Sequence, residues 1–550
     1  MTSKITRQAQ ASADSLLRIF TAPEDATSTL SIIEQRLSQD LAGFLGNSIA
    51  ALEKPLSEIE TDFNAYQIPA DPTFVSDYAD EIMQNLVAHS VHTAAPSFIG
   101  HMTSALPYFV LPLSKMMVGL NQNLVKIETS KAFTPLERQV LGMMHHLVYQ
   151  QPSNFYDQWM HSANHSLGAF CSGGTVANIT ALWIARNRLL KAQGDFKGIT
   201  REGMTKALRF YGFDDIAILV SERGHYSLGK AADLLGIGRD NIISIATDEN
   251  NKVDVDAMRQ AAKKLAAQNI KVMAIVGVAG TTETGNVDPL TELAELAAEL
   301  HCHFHVDAAW GGASLLSNKY RHLLKGIELA DSVTIDAHKQ MYVPMGAGMV
   351  IFKDPELAQA IVHHAEYILR VGSKDLGSQT LEGSRPGMAM LVHACLQIIG
   401  RDGYEILINN SLEKARYFAS IIKQHSEFEL VTKPELCLLT YRYIPSAVQT
   451  LLDDAVANNN DLLVRQINEL LDGLTQFIQK HQREQGKSFV SRTRIKPAKY
   501  FRQPTTVFRV VLANPLTNEQ ILHDVLAEQV EIAQLDNEFL PQLMELAANT

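Results

Sequence analysis

Cysteine is scarce in this 550-residue chain: Cys171, Cys302, Cys395 and Cys437 lie far apart, with no Cys-x-x-Cys pair. That pattern argues against a disulfide-stapled domain and against a thiolate zinc site, and it fits a reducing compartment. Long apolar runs are missing too. The richest, ALPYFVLPL, is interrupted by two prolines and ends at Ser114-Lys115, short of the roughly 18 residues a membrane helix needs. The start, MTSKITRQAQASADSLLRIF, mixes charges with apolar residues, so no signal peptide and no membrane partner are expected, and the expected location is cytoplasmic. Positive charge is in deficit: 48 Lys and Arg against 60 Asp and Glu leave −12. A field of that sign repels phosphate backbones, so nucleic acid is not an expected partner. An anionic small substrate would need a local cationic anchor. No G-x-G-x-x-G follows the first strand-like run, which removes the dinucleotide fingerprint.

What is present is ordinary globular composition, 46% apolar and 20% charged, which excludes disordered, collagen-like and coiled-coil chains. At roughly 150 residues per domain the length allows two to four domains. Residues 1–105 read as a helical N-terminal domain, with TSTLSIIEQRLSQDLAGFL and DYADEIMQNLVAHSV joined by proline-containing turns. Residues 106–390 read as a large α/β domain. There, IAILV (216–220), NIISIA (241–246), VMAIVGVA (272–279), CHFHVD (302–307) and DSVTID (331–336) alternate with helical stretches such as LTELAELAAEL. That alternation predicts βαβ units and a parallel sheet covered on both faces. AGMVIF (347–352) follows too closely for a helical crossover and is predicted to pair antiparallel. Residues 391–550 read as a small α+β domain, with ELCLLTYRY and TTVFRVVLANP as strands and DLLVRQINELLDGLTQFIQKHQ as a helix.

Ligands of open α/β sheets sit beyond the carboxyl ends of the strands, and five such loops carry unusual residues. In CSGGTVANITALWIAR, Gly173, Gly174 and Thr175 open an apolar helix. Free amides, the helix dipole and a hydroxyl meet there, as a phosphate site or as a tight capped turn. SERGHYS places His225 just past a strand, and GVAGTTETGNVDP places Thr281 in a Gly/Thr turn. In HCHFHVDAAWGG, His301, His303 and His305 share a strand face with Asp307. The histidines climb along the strand and do not converge, so no metal ligand set is assigned. Only Asp307 reaches the strand end, where Ala308 and Ala309 clear room for a flat cationic ring. In DSVTIDAHKQMYVP, Lys339 stands just past the next strand, where a buried amine must be neutral, paired or covalently engaged. A phosphate cradle, a stacking histidine, a carboxylate and an amine in this order along the chain fit pyridoxal 5'-phosphate, with its phosphate, ring face, ring nitrogen and aldehyde met in turn.

With those residues the chain resembles the pyridoxal-phosphate-dependent group II amino-acid decarboxylases from about residue 95 to about residue 530, most nearly the bacterial aspartate 1-decarboxylases and glutamate decarboxylase. HVDAAWGG matches the aspartate motif, SVTIDAHK the lysine motif, and GHYS carries the ring-stacking histidine. The resemblance implies fold type I, the PLP-dependent transferase-like fold, with a mainly parallel central sheet, a helical N-terminal segment and a small α+β C-terminal domain. It also implies a homodimer. Lys339 is implied to hold the cofactor covalently, Asp307 its ring nitrogen and His225 its ring face. Gly173, Gly174, Thr175 and Thr281 are assigned to the phosphate, while Ala309, Asp336 and His338 complete the cofactor's surroundings. His338 either assists Lys339 or is structural. VFRVVLANP nominates Arg509 for a substrate carboxylate, HHAEYILR nominates Tyr367 as the proton donor, and APSFIGHMTSA nominates His101 for the substrate side chain.

The departures bear on substrate. His101 replaces a glutamine of glutamate decarboxylases; it is bulkier and able to carry charge, which we read as a shorter pocket for an acidic side chain. Asp336-Ala337 replaces an Asn-Pro pair common in animal members, and Gln340 follows the lysine where an apolar residue is usual. The expected reaction is α-decarboxylation of L-aspartate to β-alanine and CO2. Glutamate giving γ-aminobutyrate is the alternative, followed by aromatic or diaminobutyrate substrates and by an aminotransferase. One methylene discriminates by only about 1–3 kcal/mol, so no motif settles the choice.

Overall fold

The computed structural model describes residues 35–39, 41, 43, 54–363 and 372–549. Most of the first predicted helical segment, and Tyr367, lie outside the described residues. Seven strands form the large sheet: β1 (Gly168–Cys171), β2 (Asp215–Ser221), β3 (Ile242–Ile245), β4 (Ile270–Val278), β5 (His303–Asp307), β6 (Ser332–Asp336) and β7 (Gly348–Phe352). Their order is β1-β7-β6-β5-β4-β2-β3. β3, β2, β4, β5 and β6 pair parallel in succession, while β7 runs antiparallel to both β6 and β1. The helical-crossover logic predicted this pattern, including the reversal at β7. The four-residue β1 escaped prediction because GAFC is too short and too poor in β-branched residues to register.

β5 and β6 are buried along their whole length, as a sheet covered on both faces requires. Val306 and Ile335 are fully enclosed, each worth about 1.5–3 kcal/mol of apolar burial. The covering helices include α1 (Phe133–Tyr149), α2 (Gly174–Leu189), α3 (Ser227–Leu234), α4 (Val255–Ala267) and α5 (Leu290–Leu300). α4 begins at Asp254, whose carboxylate accepts from the Ala257 amide at 2.9 Å, an ordinary N-cap. α2 begins at Gly173 with no side-chain cap.

A long helical stretch, α6 (Ala389–Gln424), leads out of this layer and breaks at Gly400, whose φ of 69° interrupts the helix. Beyond it, β8 (Phe428–Thr432), β9 (Leu438–Tyr443), β10 (Ser491–Ile495) and β11 (Thr505–Val511) make an antiparallel sheet in the order β10-β11-β9-β8. α7 (Asp461–Gln485) packs on it, and α8 (Glu519–Ala533) packs on α7 and α6. The segment before residue 101 is stitched to this small sheet. Phe98 stacks on Phe489 at 4.7 Å, and the Val511 amide donates to the Ile99 carbonyl at 2.7 Å. That stitching carries His101 and Met102 to the mouth of the large sheet's carboxyl edge.

Candidate active site

The carboxyl ends of β2, β4, β5 and β6 and the start of α2 enclose a cavity of about 370 Å³. Nine nominated residues line it: Gly173, Gly174, Thr175, His225, Asp307, Ala309, Asp336, His338 and Lys339. Close packing explains the glycines. A Cβ on Gly174 would stand 2.8 Å from Asp336 Oδ2, and one on Gly348 would stand 2.5 Å from the Gly173 Cα. β7 and the loop before α2 therefore close only on bare backbone.

Lys339 Nζ lies 3.2 Å from Asp336 Oδ2, and His338 Nε2 lies 3.4 Å from the same oxygen. The Ala347 amide donates to His338 Nδ1 at 3.2 Å, so this ring is clamped between β7 and Asp336. Burial lowers the His338 pKa against the upward pull of Asp336. Asp307 is almost fully enclosed. Its Oδ2 accepts from Asn178 Nδ2 at 2.8 Å and its Oδ1 from the Ala309 amide at 3.2 Å. His225 has its Nδ1 2.8 Å from Ser227 Oγ, and burial lowers its pKa.

Three nominated residues within the described residues stand off the cavity wall. Thr281 is fully buried inside its turn, where its Oγ1 meets Thr284 Oγ1 at 2.8 Å and accepts from the Asn286 amide at 3.1 Å. The hydroxyl assigned to the phosphate is thus spent on the turn; its neighbours Gly280 and Thr282 line the cavity instead. Arg509, on β11, stands behind Thr282. Its Nε donates to the Thr282 carbonyl at 2.6 Å, and its Nη1 to the Gly100 carbonyl at 3.2 Å and Ser491 Oγ at 3.4 Å. Burial lowers its pKa to about 10, so it stays cationic at neutral pH. His101 keeps an exposed face, with Nδ1 3.1 Å from Thr103 Oγ1. Partial burial of the ring, then the charges of Arg509 and Lys339, lower its pKa. That shift favours the neutral ring.

Two lining residues escaped the sequence reading. Asn178 is buried on α2, four residues past Gly174; its signal is an amide near the start of an apolar helical stretch. Arg223 is a buried guanidinium two residues before His225. Its Nη2 reaches Asn251 Oδ1 at 3.3 Å, and its Nε has no hydrogen-bond partner. Among the described residues, neither Arg223 nor Arg509 has a carboxylate within ion-pair distance. A cation at a strand end in a chain of net −12 was the available clue.

Residues 55–444 match the pyridoxal-dependent decarboxylase conserved domain. The chain belongs to this family. Its cofactor is pyridoxal 5'-phosphate and it is a carboxy-lyase. It is 64% identical over 543 residues to an aspartate 1-decarboxylase of Aliivibrio fischeri, covering 99% of this chain and 98% of that protein. It is 27% identical over 376 residues to the human acidic amino acid decarboxylase GADL1, covering 67% of each chain. Mouse CSAD in its apo form superposes with a TM-score of 0.77 at 21% identity, over 91% of this chain and 99% of that one. Oryza sativa TDC with PLP and tryptamine gives 0.77 at 18%, over 94% and 99%. These likenesses show the type I fold.

The donor set fits the cofactor on the structure's own terms. The uncapped start of α2 offers amides to a phosphate. Asp307, enclosed and hydrogen-bonded, suits a ring nitrogen that carries a proton. Lys339 is the amine that reaches the cavity between them. No helix among the described residues is long and apolar enough to cross a membrane.

Proposed function

We propose that the enzyme removes the α-carboxylate of L-aspartate as CO2 and releases β-alanine. The observation that carries an acidic substrate is the pair Arg223, which lines the cavity, and Arg509, buried behind the lining residue Thr282; among the described residues neither has a carboxylate within ion-pair distance. A charge-assisted contact to each carboxylate of a dicarboxylic amino acid satisfies both, and a guanidinium fixes orientation as well as charge. A second ammonium, as in diaminobutyrate, would be repelled there. The identity to an aspartate 1-decarboxylase supports the four-carbon acid over glutamate.

In this reading Lys339 would hold the cofactor's aldehyde carbon and Asp307 would keep a proton on its ring nitrogen. The amides of Gly173, Gly174 and Thr175 would take its phosphate, with His225 and Ala309 against the ring. When bound, the cofactor draws electron density from the substrate's α-carbon, which is what loss of CO2 requires. Arg509 orients the carboxylate that leaves, and Tyr367 returns a proton to the α-carbon. Asp336 and His338 position Lys339. The enzyme works in the cytoplasm as a homodimer. The exposed side chains Leu111, Met116, Val118 and Leu120, all on the helix Val110–Leu120, support a partner surface.

The test is product identification by mass, with CO2 measured, when holoenzyme receives L-aspartate, L-glutamate and L-2,4-diaminobutyrate together. The expected result is β-alanine in step with CO2 and no requirement for an amino acceptor. A faster yield of γ-aminobutyrate, or dependence on an α-keto acid, overturns the reading.

A further inference from the structure

The charge of Asp307 dictates the orientation of every polar group behind it. Only the amide nitrogen of Asn178 can face a carboxylate oxygen at 2.8 Å, since a carbonyl there would be two acceptors in contact. The second Nδ2 hydrogen then points at Ser227 Oγ, 3.0 Å away. Ser227 has one hydrogen of its own and gives it to His225 Nδ1 at 2.8 Å. The Ser227 amide approaches the same nitrogen at 3.3 Å. On the other side, Asn178 Oδ1 faces His305 Nε2 at 3.1 Å, which must carry a hydrogen. His305 Nδ1 lies 2.8 Å from Ser332 Oγ and 3.2 Å from the Ser332 carbonyl, which complete that arm. Asn178, Ser227 and His305 are buried, at 1%, 0% and 0% exposure.

We propose that Asn178 is a positioning residue that locks two cofactor-facing groups at once, holding Asp307 as a hydrogen-bonded carboxylate and, through Ser227, His225 as the neutral ring with its hydrogen on Nε2. An imidazolium at His225 would turn an N–H against the Ser227 amide and strand the Ser227 hydroxyl hydrogen. The groups that act on His225 from around it are mixed. Asp307 and Asp336 pull its pKa up, Lys339 and Lys230 push it down, and the Tyr226 ring sits 4.2 Å away. With the charges opposed, burial and the hydrogen-bond chain decide the state. His305 is neutral as well, its pKa lowered by burial to about 4. His305, one of the histidines that mimic a metal cluster in the sequence, thus supplies the back wall of this chain. The inference rests on the cavity being the active site, and not on which amino acid is consumed.

The experiment compares holoenzyme with Ser227→Ala, Asn178→Ala and the double variant, reading kcat, KM and the cofactor's visible absorbance from pH 5 to 9. Ser227→Ala should move the acidic limb of the kcat profile up by about half a pH unit or more, since Nδ1 loses its donor. Asn178→Ala should lower kcat about 10- to 100-fold, the worth of one hydrogen bond to a charged group, with KM changed by less than about threefold. The double variant should be close to Asn178→Ala alone, because both changes cut one chain. A Ser227→Ala profile that superimposes on wild type, or effects that multiply in the double variant, overturns the inference. Should Asn178→Ala fail to fold, Ser227→Ala decides alone, as it removes a single oxygen. Lys339→Ala is the control: if that variant keeps the visible band, the active-site assignment fails and not the hydrogen-bond chain.

Discussion

Replacing Arg509 by lysine keeps a cation on β11 and removes the fork. Three of the guanidinium's contacts are structural: the Thr282 and Gly100 carbonyls and Ser491 Oγ. Nη2 has no hydrogen-bond partner among the described residues. One hydrogen bond from it to a substrate carboxylate is worth about 1.5–3 kcal/mol, or about 10- to 150-fold in kcat/KM. Arg509→Lys should lose that factor, chiefly in KM, and Arg509→Gln should lose more because the charge goes too. With the guanidinium titrating only near 10, the wild-type contact should hold steady between about pH 6 and pH 9. Steady-state CO2 release from L-aspartate reads both variants, and thermal unfolding checks that β11 still docks. If Arg509→Lys retains kcat/KM within about twofold of wild type, the carboxylate is held elsewhere and Arg223 becomes the remaining cation.

Lys339→Ala should erase the visible absorbance of the covalently held cofactor and abolish turnover; a retained band moves the linkage to another amine. Arg385 donates through both terminal nitrogens to the two carboxylate oxygens of Glu137, and both side chains are buried. Removing one partner leaves an uncompensated charge, so Arg385→Ala should cost about 3–5 kcal/mol in denaturant unfolding; a loss under about 1 kcal/mol contradicts that. Stability should also fall in acid. His145, His303 and His305 are lowered by burial to about 4. Their neutral forms therefore stabilise the fold fully above about 6.5, and that stability drains as pH falls toward 4. Asp288, raised by burial to about 6, acts oppositely, losing stability as pH rises from 3.8. Three groups outweigh one, so unfolding midpoints should drop between about pH 6.5 and pH 4, by on the order of 1 kcal/mol per pH unit for each net proton. A flat profile there refutes the assignment of neutral buried rings.

The strands that face core on both sides were legible, because VMAIVGVA and DSVTID have no other stable use, and the spacing to AGMVIF announced the reversal at β7. β8 and β10 were not, since FELVT and SRTRI are half-exposed edge strands with mixed burial. Chemistry at strand ends was legible for the same reason as the strands: Asp307 and Lys339 are charges placed where only function or pairing tolerates them. Thr281 misled because a threonine hydroxyl satisfies a turn as readily as a ligand. Asn178 was hidden because its partners, Asp307, Ser227 and His305, are far away in sequence, and only the packing of α2 across β5 brings them together. His101 lies beside the cavity and not in its wall, and its lowered pKa comes first from partial burial and then from Arg509 and Lys339, none of which a local pattern reports.

Asp336 poses a sharper question: a carboxylate beside Gly174 stands next to a cradle meant for an anion. Its neighbours ease the conflict on one side: Lys339 Nζ at 3.2 Å and His338 Nε2 at 3.4 Å hold its Oδ2, while its Oδ1 is buried with no hydrogen-bond partner among the described residues. The same pairing keeps Lys339 in the cavity, a necessary condition for an amine that must reach an aldehyde. Arg223 and Arg509 remain as the cations that the cofactor's linkage does not take up, the second with the Glu283 carboxylate acting on it from nearby. Screening is weak around buried groups, so a second amine on a small ligand meets repulsion from both guanidiniums, inside a chain whose total charge is −12. These two side chains, on β11 and the loop after β2, are therefore as much a part of the reading as the lysine itself.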